Sequence, residues 1–503
     1  MQGTRETPSL TTQAFWLLAA KTAGFALTTA LPLVLVRSLS QLEFGVYKQA
    51  FLIVGTAVTV LPLGFGMSAF YFLPRQRANH PAVVLNVLLI HAAVGAIAAA
   101  ALMLWPGVLA TIFGSADLVP YAGLLGAVVL TWTVASFLEI VPVACQDLVP
   151  STLFIVGSQA SKTIIFIIAA RAGGSVAALI GAAIVQGLVQ TVVLIWYMQA
   201  RFPGFWRSFD REMLRTQASY ALPLGLSSLV LKLQTDLPHY FVAHAFGASA
   251  YAVFAVGVFN LPLIGLLRES VGSVMLPRVS RLEQDEDRRE ILLLVARVAR
   301  KLAIVYFPMY AVLLVAGREF ITLLFTSQYI ASWPIFAVYI TVIPAGVIVL
   351  DPITRAYAEQ RFFLLKLRLV LFAIMAAVFA AGIVRLGLVG TIAVVVAVQV
   401  AGTIGAAVRL GHVMHLRRAD FAPFAVLGRI AAASAAAALI AAAVRWLMLP
   451  GPPLPVLIAC GLFYGCAYGA ALLAARVIDR DDWAVVRELF DRGRARRLSL
   501  QRF

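Results

Sequence analysis

Stretches of about 20 mostly apolar residues alternate with short polar segments along almost the whole chain, and about 20 such residues are what a helix needs to cross a hydrocarbon core roughly 30 Å thick. The pattern predicts helices near 14–36, 48–72, 82–104, 120–143, 150–170 and 175–199. It continues with 217–242, 250–268, 294–316, 331–350, 364–383 and 387–409, and ends with a pair near 424–444 and 455–475. In the 294–316 segment, Arg297, Arg300 and Lys301 delay the apolar start. The fold class that follows is an all-α polytopic membrane protein with about 14 transmembrane helices, because helices satisfy their own backbone groups in lipid.

Composition agrees. Of 503 residues, 62% are hydrophobic and 13% charged, and the mean hydropathy is +0.92. A soluble domain is roughly 45–50% apolar and about a quarter charged, and a fold in water cannot hide this much apolar surface. The net charge of +17 would suit nucleic acid if it lay on one face. Instead about 30 of the 40 Lys and Arg fall in alternate loops or the tails, which is the positive-inside pattern and argues against a nucleic-acid partner. The basic loops are Arg75-Gln76-Arg77, Arg201–Arg215, Arg278–Glu290, Arg355–Arg368 and Arg409–Arg418. Loops 243–250 and 446–454 are nearly uncharged and belong outside. An even helix count puts both termini in the cytoplasm of a bacterial inner membrane. The loop holding Cys145-Gln146-Asp147 has no basic residue and is where this topology is weakest.

Three cysteines, Cys145, Cys460 and Cys466, are too few and badly spaced for a disulfide framework or a metal site. The first apolar run is too long for a signal-peptide core and carries Lys21, so it reads as a retained helix. In 479–503, Trp483, Val486, Leu489 and Phe490 form an apolar stripe at helical spacing beside many arginines. That tail is either an amphipathic helix on the anionic inner leaflet or a solvated basic tail.

A faint repeat runs through the chain. Leu31-Pro32, Gly45, Tyr47 and Leu73-Pro74-Arg75 reappear as Leu237-Pro238, Gly247, Tyr251 and Leu276-Pro277-Arg278, at an offset of about 205 residues. This predicts two six-helix lobes in parallel repeat, 1–215 and 216–418, followed by two further helices in 419–478 and the tail 479–503.

Ionisable groups at the centre of a span cost about 2.5–3.5 kcal/mol on insertion scales, so they face a cavity or a partner. Lys21, Thr28, Thr29 and Pro32 share one face of the first helix, and Ser228, Thr235, Asp236 and His239 repeat that spacing in the seventh, with Lys232 one turn before Asp236. These stripes predict a polar cavity lining of Thr28, Thr29, Ser228, Thr235, Asp236 and His239. Lys232 and Asp236, four apart, either neutralise one another or present charge to a ligand. Glu139 and Lys162 either form an internal pair or take part in ion coupling. Lys48 and Arg37, near helix ends, read as snorkelling to headgroups. Lys21 and Arg268, with Lys232, are the candidates for binding an anionic group. No Walker loop, Gly-x-Ser-x-Gly or His-Glu-x-x-His motif is present. No catalytic residue, metal or cofactor is expected, the coupling ion is open, and secondary transport is favoured over catalysis.

Several stretches resemble a known family. Val36-Arg37-Ser38-Leu39-Ser40-Gln41-Leu42-Glu43-Phe44-Gly45-Val46-Tyr47 is similar to the first outer loop of Wzx-type polysaccharide-transport flippases of the MATE/MOP superfamily. Tyr220-Ala221-Leu222-Pro223 with Asp236, Phe246-Gly247 and Tyr251, and Met275–Leu282, resemble later parts of that family, as does Gly317–Phe325, its turn between helices nine and ten. Thr326-Ser327 departs from the glycine that commonly follows that turn, which puts its geometry in question. The resemblance implies two six-helix lobes around a cavity and a polyprenyl-pyrophosphate-linked oligosaccharide moved by alternating access to the periplasmic leaflet. It implies as partners the lipid-linked oligosaccharide, membrane lipids, and the polymerase and glycosyltransferases of polysaccharide synthesis. The competing readings are a multidrug or small-solute antiporter of the same superfamily, which should favour acidic cavity residues, and a non-transporting membrane scaffold.

Overall fold

The computed structural model describes residues 10–75, 79–285, 287–357 and 361–477, and among them every regular element is helical. The first helices are α1 (Leu10–Ser38), α2 (Gln41–Val60), α3 (Phe65–Phe72), α4 (His80–Leu104), α5 (Gly107–Phe113) and α6 (Ala122–Ala135). Then come α7 (Val141–Ala144), α8 (Leu148–Ala172), α9 (Val176–Arg201), α10 (Arg211–Gly257), α11 (Pro262–Gln284), α12 (Arg288–Val315) and α13 (Gly317–Phe325). The chain continues through α14 (Trp333–Tyr339), α15 (Val342–Ala345), α16 (Asp351–Ala356), α17 (Arg361–Val413), α18 (Ala425–Met448) and α19 (Pro453–Ala474). The tail 479–503 lies outside the described residues.

Among the described residues, ten helical runs are long and apolar enough to cross a membrane, and the pair α2–α3, bent by 41°, makes an eleventh if it is one span. Two of these runs are too long for one crossing. At 1.5 Å per residue, the 47 residues of α10 and the 53 of α17 would reach about 70–80 Å. Each is broken where glycine takes a backbone conformation that side chains disfavour: Gly247 in α10 has φ 77°, and Gly387 in α17 has φ 65°. With these breaks most of the expected segments fall on helix, whereas 250–268 is interrupted at 258–261, between α10 and α11, and 48–72 at the bend between α2 and α3. The 331–350 segment is the least regular, divided into a 3₁₀ turn at Ser327–Ser332, α14 and α15.

Helix starts differ from the hydropathy reading where a polar cap lies upstream of the apolar run. The Glu43 N–H donates to Ser40 Oγ (3.3 Å) and the Ser40 N–H to Glu43 Oε2 (2.9 Å). This reciprocal cap starts α2 at Gln41, so the stretch read as an outer loop is already helical. Asp287 caps α12 through the Glu290 N–H (3.0 Å), six residues before the expected start of 294. Asp210 caps α10 by accepting from the N–H groups of Glu212 and Met213.

By packing, the chain falls into two compact units, Met1–Pro262 with Leu369–Val395, and Leu263–Arg368 with Val396–Phe503. In the first, buried Phe72, Val83, Val84, Val87, Phe137, Met198 and Phe205 form an apolar cluster at one end. Beside it Asp147 accepts from Arg201 Nε (2.9 Å) and Tyr197 OH (2.7 Å). The Asp147 loop therefore shares an end with the basic Arg201 loop, as the alternating topology requires. In the second unit, Arg445 of α18 holds the buried Glu319 of α13 through Nε (3.0 Å) and Nη2 (2.9 Å), fixing the last helix pair to α13.

The turn after α13 contains Thr326 at φ 73°, ψ 166°. That region is close to glycine-only and costs a β-branched residue of order 1–3 kcal/mol. Thr326→Gly is expected to raise the thermal midpoint of the purified protein by relieving about 1 kcal/mol or more of strain, read by a detergent melt. An unchanged or lowered midpoint would mean the turn is not strained.

Candidate functional site

The site is built on a seam in the first unit where α2 and the first part of α10 run antiparallel. A Cβ at Gly45 would lie 1.9 Å from the Ala248 carbonyl oxygen, and one at Gly225 would lie 2.2 Å from the Leu63 backbone. These glycines bring the two backbones together at both ends of the seam, as small residues do between membrane helices. Leu63 (φ 46°) and Gly64 (φ 80°) make the bend between α2 and α3 at the second contact.

Midway along the seam, Asp236 is 4% exposed and fully engaged. Its carboxylate pairs with Lys232 Nζ at 2.8 Å and accepts from Thr56 Oγ1 at 2.6 Å. Tyr240 OH donates to Thr56 Oγ1 at 2.9 Å, so α2 and α10 are joined by a chain of four polar side chains. His239 Nδ1 lies 3.3 Å from Tyr251 OH. Gln49, on the same face of α2, is wholly buried and its amide has no hydrogen-bond partner among the described residues, a costly arrangement.

A second polar group lies between α6, α8 and α2. The 3₁₀ turn Ser136–Glu139 interrupts the span after α6 and brings Glu139 to α8. There Glu139 Oε1 accepts from Ser158 Oγ (2.7 Å) and Gln159 Nε2 (3.4 Å). Lys162 lies over the Trp132 ring, 4.5 Å from its centroid, and makes no ion pair with Glu139 among the described residues. Lys48 lies 5.4 Å from the centroid of the fully buried Phe44 ring. It faces this interior group instead of snorkelling.

The other expected residues are placed as follows. Ser228 and Thr235 are exposed, each bonded to a carbonyl of its own helix. Thr29 is half-buried. The side chains of Lys21 and Thr28 lie outside the described residues, though their helix positions flank Gly24, which packs on Gln159 of α8. Arg268, in the second unit, is exposed on α11, and its Nη2 would lie 3.1 Å from a Cβ at Gly346. Sequence reasoning missed Thr56, Tyr240, Gln49 and the inward role of Lys48. Gly45, Gln49 and Thr56, at offsets of zero, four and eleven, share a helical face, which was a readable signal.

The profile of a family described as polysaccharide biosynthesis protein matches residues 34–334. The chain belongs to that family, and its described residues form the apolar helical runs of a multi-span membrane protein. A capsular polysaccharide biosynthesis protein, CapF of Staphylococcus aureus, is 28% identical over 140 residues, covering 27% of this chain and only 34% of the relative. Among solved structures, the lipid II flippase MurJ in an inward closed conformation matches with a TM-score of 0.69 at 13% identity, over 93% of this chain and 99% of that one. An outward-facing multidrug resistance MATE transporter of the MOP superfamily matches at 0.54 and 16% identity, over 80% and 97%. These structural likenesses carry the fold.

Removing one partner of a buried ion pair strands the other charge, at a cost of about 3–5 kcal/mol, whereas removing both costs far less. Asp236→Asn and Lys232→Met are therefore each expected to lower the thermal midpoint, and the double variant to recover most of the loss. Additive losses in this double-mutant cycle would show that the pair does not act as a unit.

Proposed function

We propose that this protein flips a polyprenyl-pyrophosphate-linked oligosaccharide from the cytoplasmic to the periplasmic leaflet of a bacterial inner membrane, exposing its binding groups to each side in turn, with both chain termini in the cytoplasm. The reading rests on family membership and on one observation above others: cations outnumber carboxylates within the spans. Lys21, Lys48, Lys162, Lys232 and Arg268 stand against Glu139 and Asp236. A pyrophosphate cannot enter hydrocarbon without opposite charge to receive it. Lys21 and Arg268 bind the pyrophosphate in this account, Lys232 contributes when released from Asp236, and Thr28, Thr29, Ser228 and Thr235 hydrate or bind sugar hydroxyls. The polyprenyl tail stays in lipid. The two six-helix lobes 1–215 and 216–418 act as the moving halves, and no cofactor is required.

An antiporter for cationic solutes would need carboxylates at liberty to take up the cation. Here Asp236 is engaged by Lys232 and Thr56, and Glu139 by Ser158 and Gln159, which favours the anionic substrate.

Lys21→Ala and Arg268→Ala are expected to abolish or severely reduce polysaccharide export and to make lipid-linked oligosaccharide accumulate in the inner leaflet, with membrane abundance near normal. Each removes a charge-assisted contact worth about 1.5–3 kcal/mol. Lys21→Arg should export more than Lys21→Gln, since it keeps the charge. Normal export by both Lys21→Gln and Arg268→Gln would remove the proposed anion contacts.

A further inference from the structure

The last turns of α9 leave one face uncovered. Val192, Ile195, Trp196, Gln199 and Ala200, at offsets of zero, three, four, seven and eight, lie along it, and Val192 and Trp196 are each 66% exposed. The chain reverses at Gly204, whose φ is 75°, and enters the 3₁₀ turn Phe205–Arg207. Phe205 is wholly buried in the apolar cluster at this end of the unit, and its ring centroid lies 4.0 Å from that of Trp206. The Trp206 Nε1–H donates to Gln199 Oε1 at 2.6 Å. These two contacts hold the exposed Trp206 indole against α9. Together with the five α9 residues it lines a groove of about 570 Å³, within the roughly 300–1,000 Å³ of small-molecule sites.

Indoles gather where acyl chains meet headgroups, and the charge at this end is basic. Arg201, Arg207, Arg211 and Arg215 are exposed. Against them stand Glu212, Asp210, which caps α10, and Asp147, which takes Arg201. Arg207, directly after Trp206, makes no ion pair among the described residues. We propose that this groove is a site for an anionic phospholipid of the bilayer. One acyl chain lies along Val192, Ile195 and Ala200 against the indoles of Trp196 and Trp206, and the headgroup phosphate pairs with Arg207. The inference goes beyond the flippase reading and does not depend on it. A zwitterionic lipid suits the site less well, because its own cation competes with Arg207 for the phosphate. A polyprenyl pyrophosphate brings more negative charge than Arg207 answers.

The test reconstitutes the full-length protein in phosphatidylcholine bilayers holding a small fraction of phospholipid brominated on its acyl chains, which quenches an indole it touches. The signal from the groove is the difference between the wild type and a Trp196→Phe, Trp206→Phe double variant. Brominated phosphatidylglycerol is expected to reach half its full quenching at a mole fraction about fivefold lower than brominated phosphatidylcholine. Arg207→Gln should erase that preference and Arg207→Lys keep it. Ala200→Phe, which fills the groove and leaves every charge in place, should erase it too. The proposal is overturned if the two lipids quench the wild type alike, or if Arg207→Gln keeps the preference. It is equally overturned if Ala200→Phe keeps it, since the attraction would then be diffuse charge with no part for the groove. Displacement of the brominated lipid by less farnesyl pyrophosphate than unlabelled phosphatidylglycerol would make the groove a polyprenyl site and overturn the assignment. In native membranes a photo-crosslinking residue at position 192 should capture phospholipid, and capture of one polypeptide in its place would give the face to a protein partner instead. Should the double variant not accumulate, total quenching of the wild type by the two lipids decides.

Discussion

Hydrocarbon supplies no hydrogen-bond partners and no counter-ions, so each polar group placed in a membrane span must find its partner within the protein or in water that the protein admits. The architecture of this chain follows from that constraint. Helices dispose of the backbone groups. The side chains that remain polar divide into those in contact with an opposite charge and those seated over an aromatic ring. Asp236 belongs to the first kind, with Lys232 and Thr56, and so does Glu319 with Arg445. Lys48 and Lys162 belong to the second.

The seam between α2 and α10 shows how sequence produces such an arrangement. Glycine at 45, 64 and 225 permits backbone approaches that a Cβ would block. The close approach lets a short threonine at 56 reach Asp236 across the seam. Positive φ at Gly64 and Gly247 breaks the helices near the two ends of the contact. Backbone geometry thus fixes where the polar chain can form, and the polar chain fixes the register of the two helices.

Hydropathy made the all-helical, multi-span character of the chain legible, because about 20 apolar residues in a row are a local signal. The order of the loosely matching stretches, more than any one of them, made the family legible. What hydropathy could not give was where helices begin upstream of their apolar stretch. Ser40 with Glu43, and Asp287, set those starts through hydrogen bonds that a hydropathy window ignores. Lys232 with Asp236 was readable because the partners are four apart on one helix. Thr56 with Asp236 was not, because the residues are 180 apart in sequence and nothing local announces their meeting. Lys48 was misread for a related reason: its nearness to the expected helix end suggested snorkelling, whereas α2 starts earlier, at Gln41, and seats Lys48 over the buried Phe44 ring.

The central claim is that the polar face of α10 is kept in the membrane because it is wetted. Its most direct test replaces Cys145, Cys460 and Cys466, then introduces single cysteines at Ser228, at Thr235 and, for comparison, at Leu439, which is exposed on the apolar α18. A small, charged methanethiosulfonate reagent reacts fast only where water delivers it and ionises the thiol. The account predicts rapid modification at 228 and 235 and slow modification at 439 in native membranes. Protection at 228 and 235 equal to that at 439 would contradict it, and would make the stripe a lipid-facing or packed surface with no part in carrying a polar substrate.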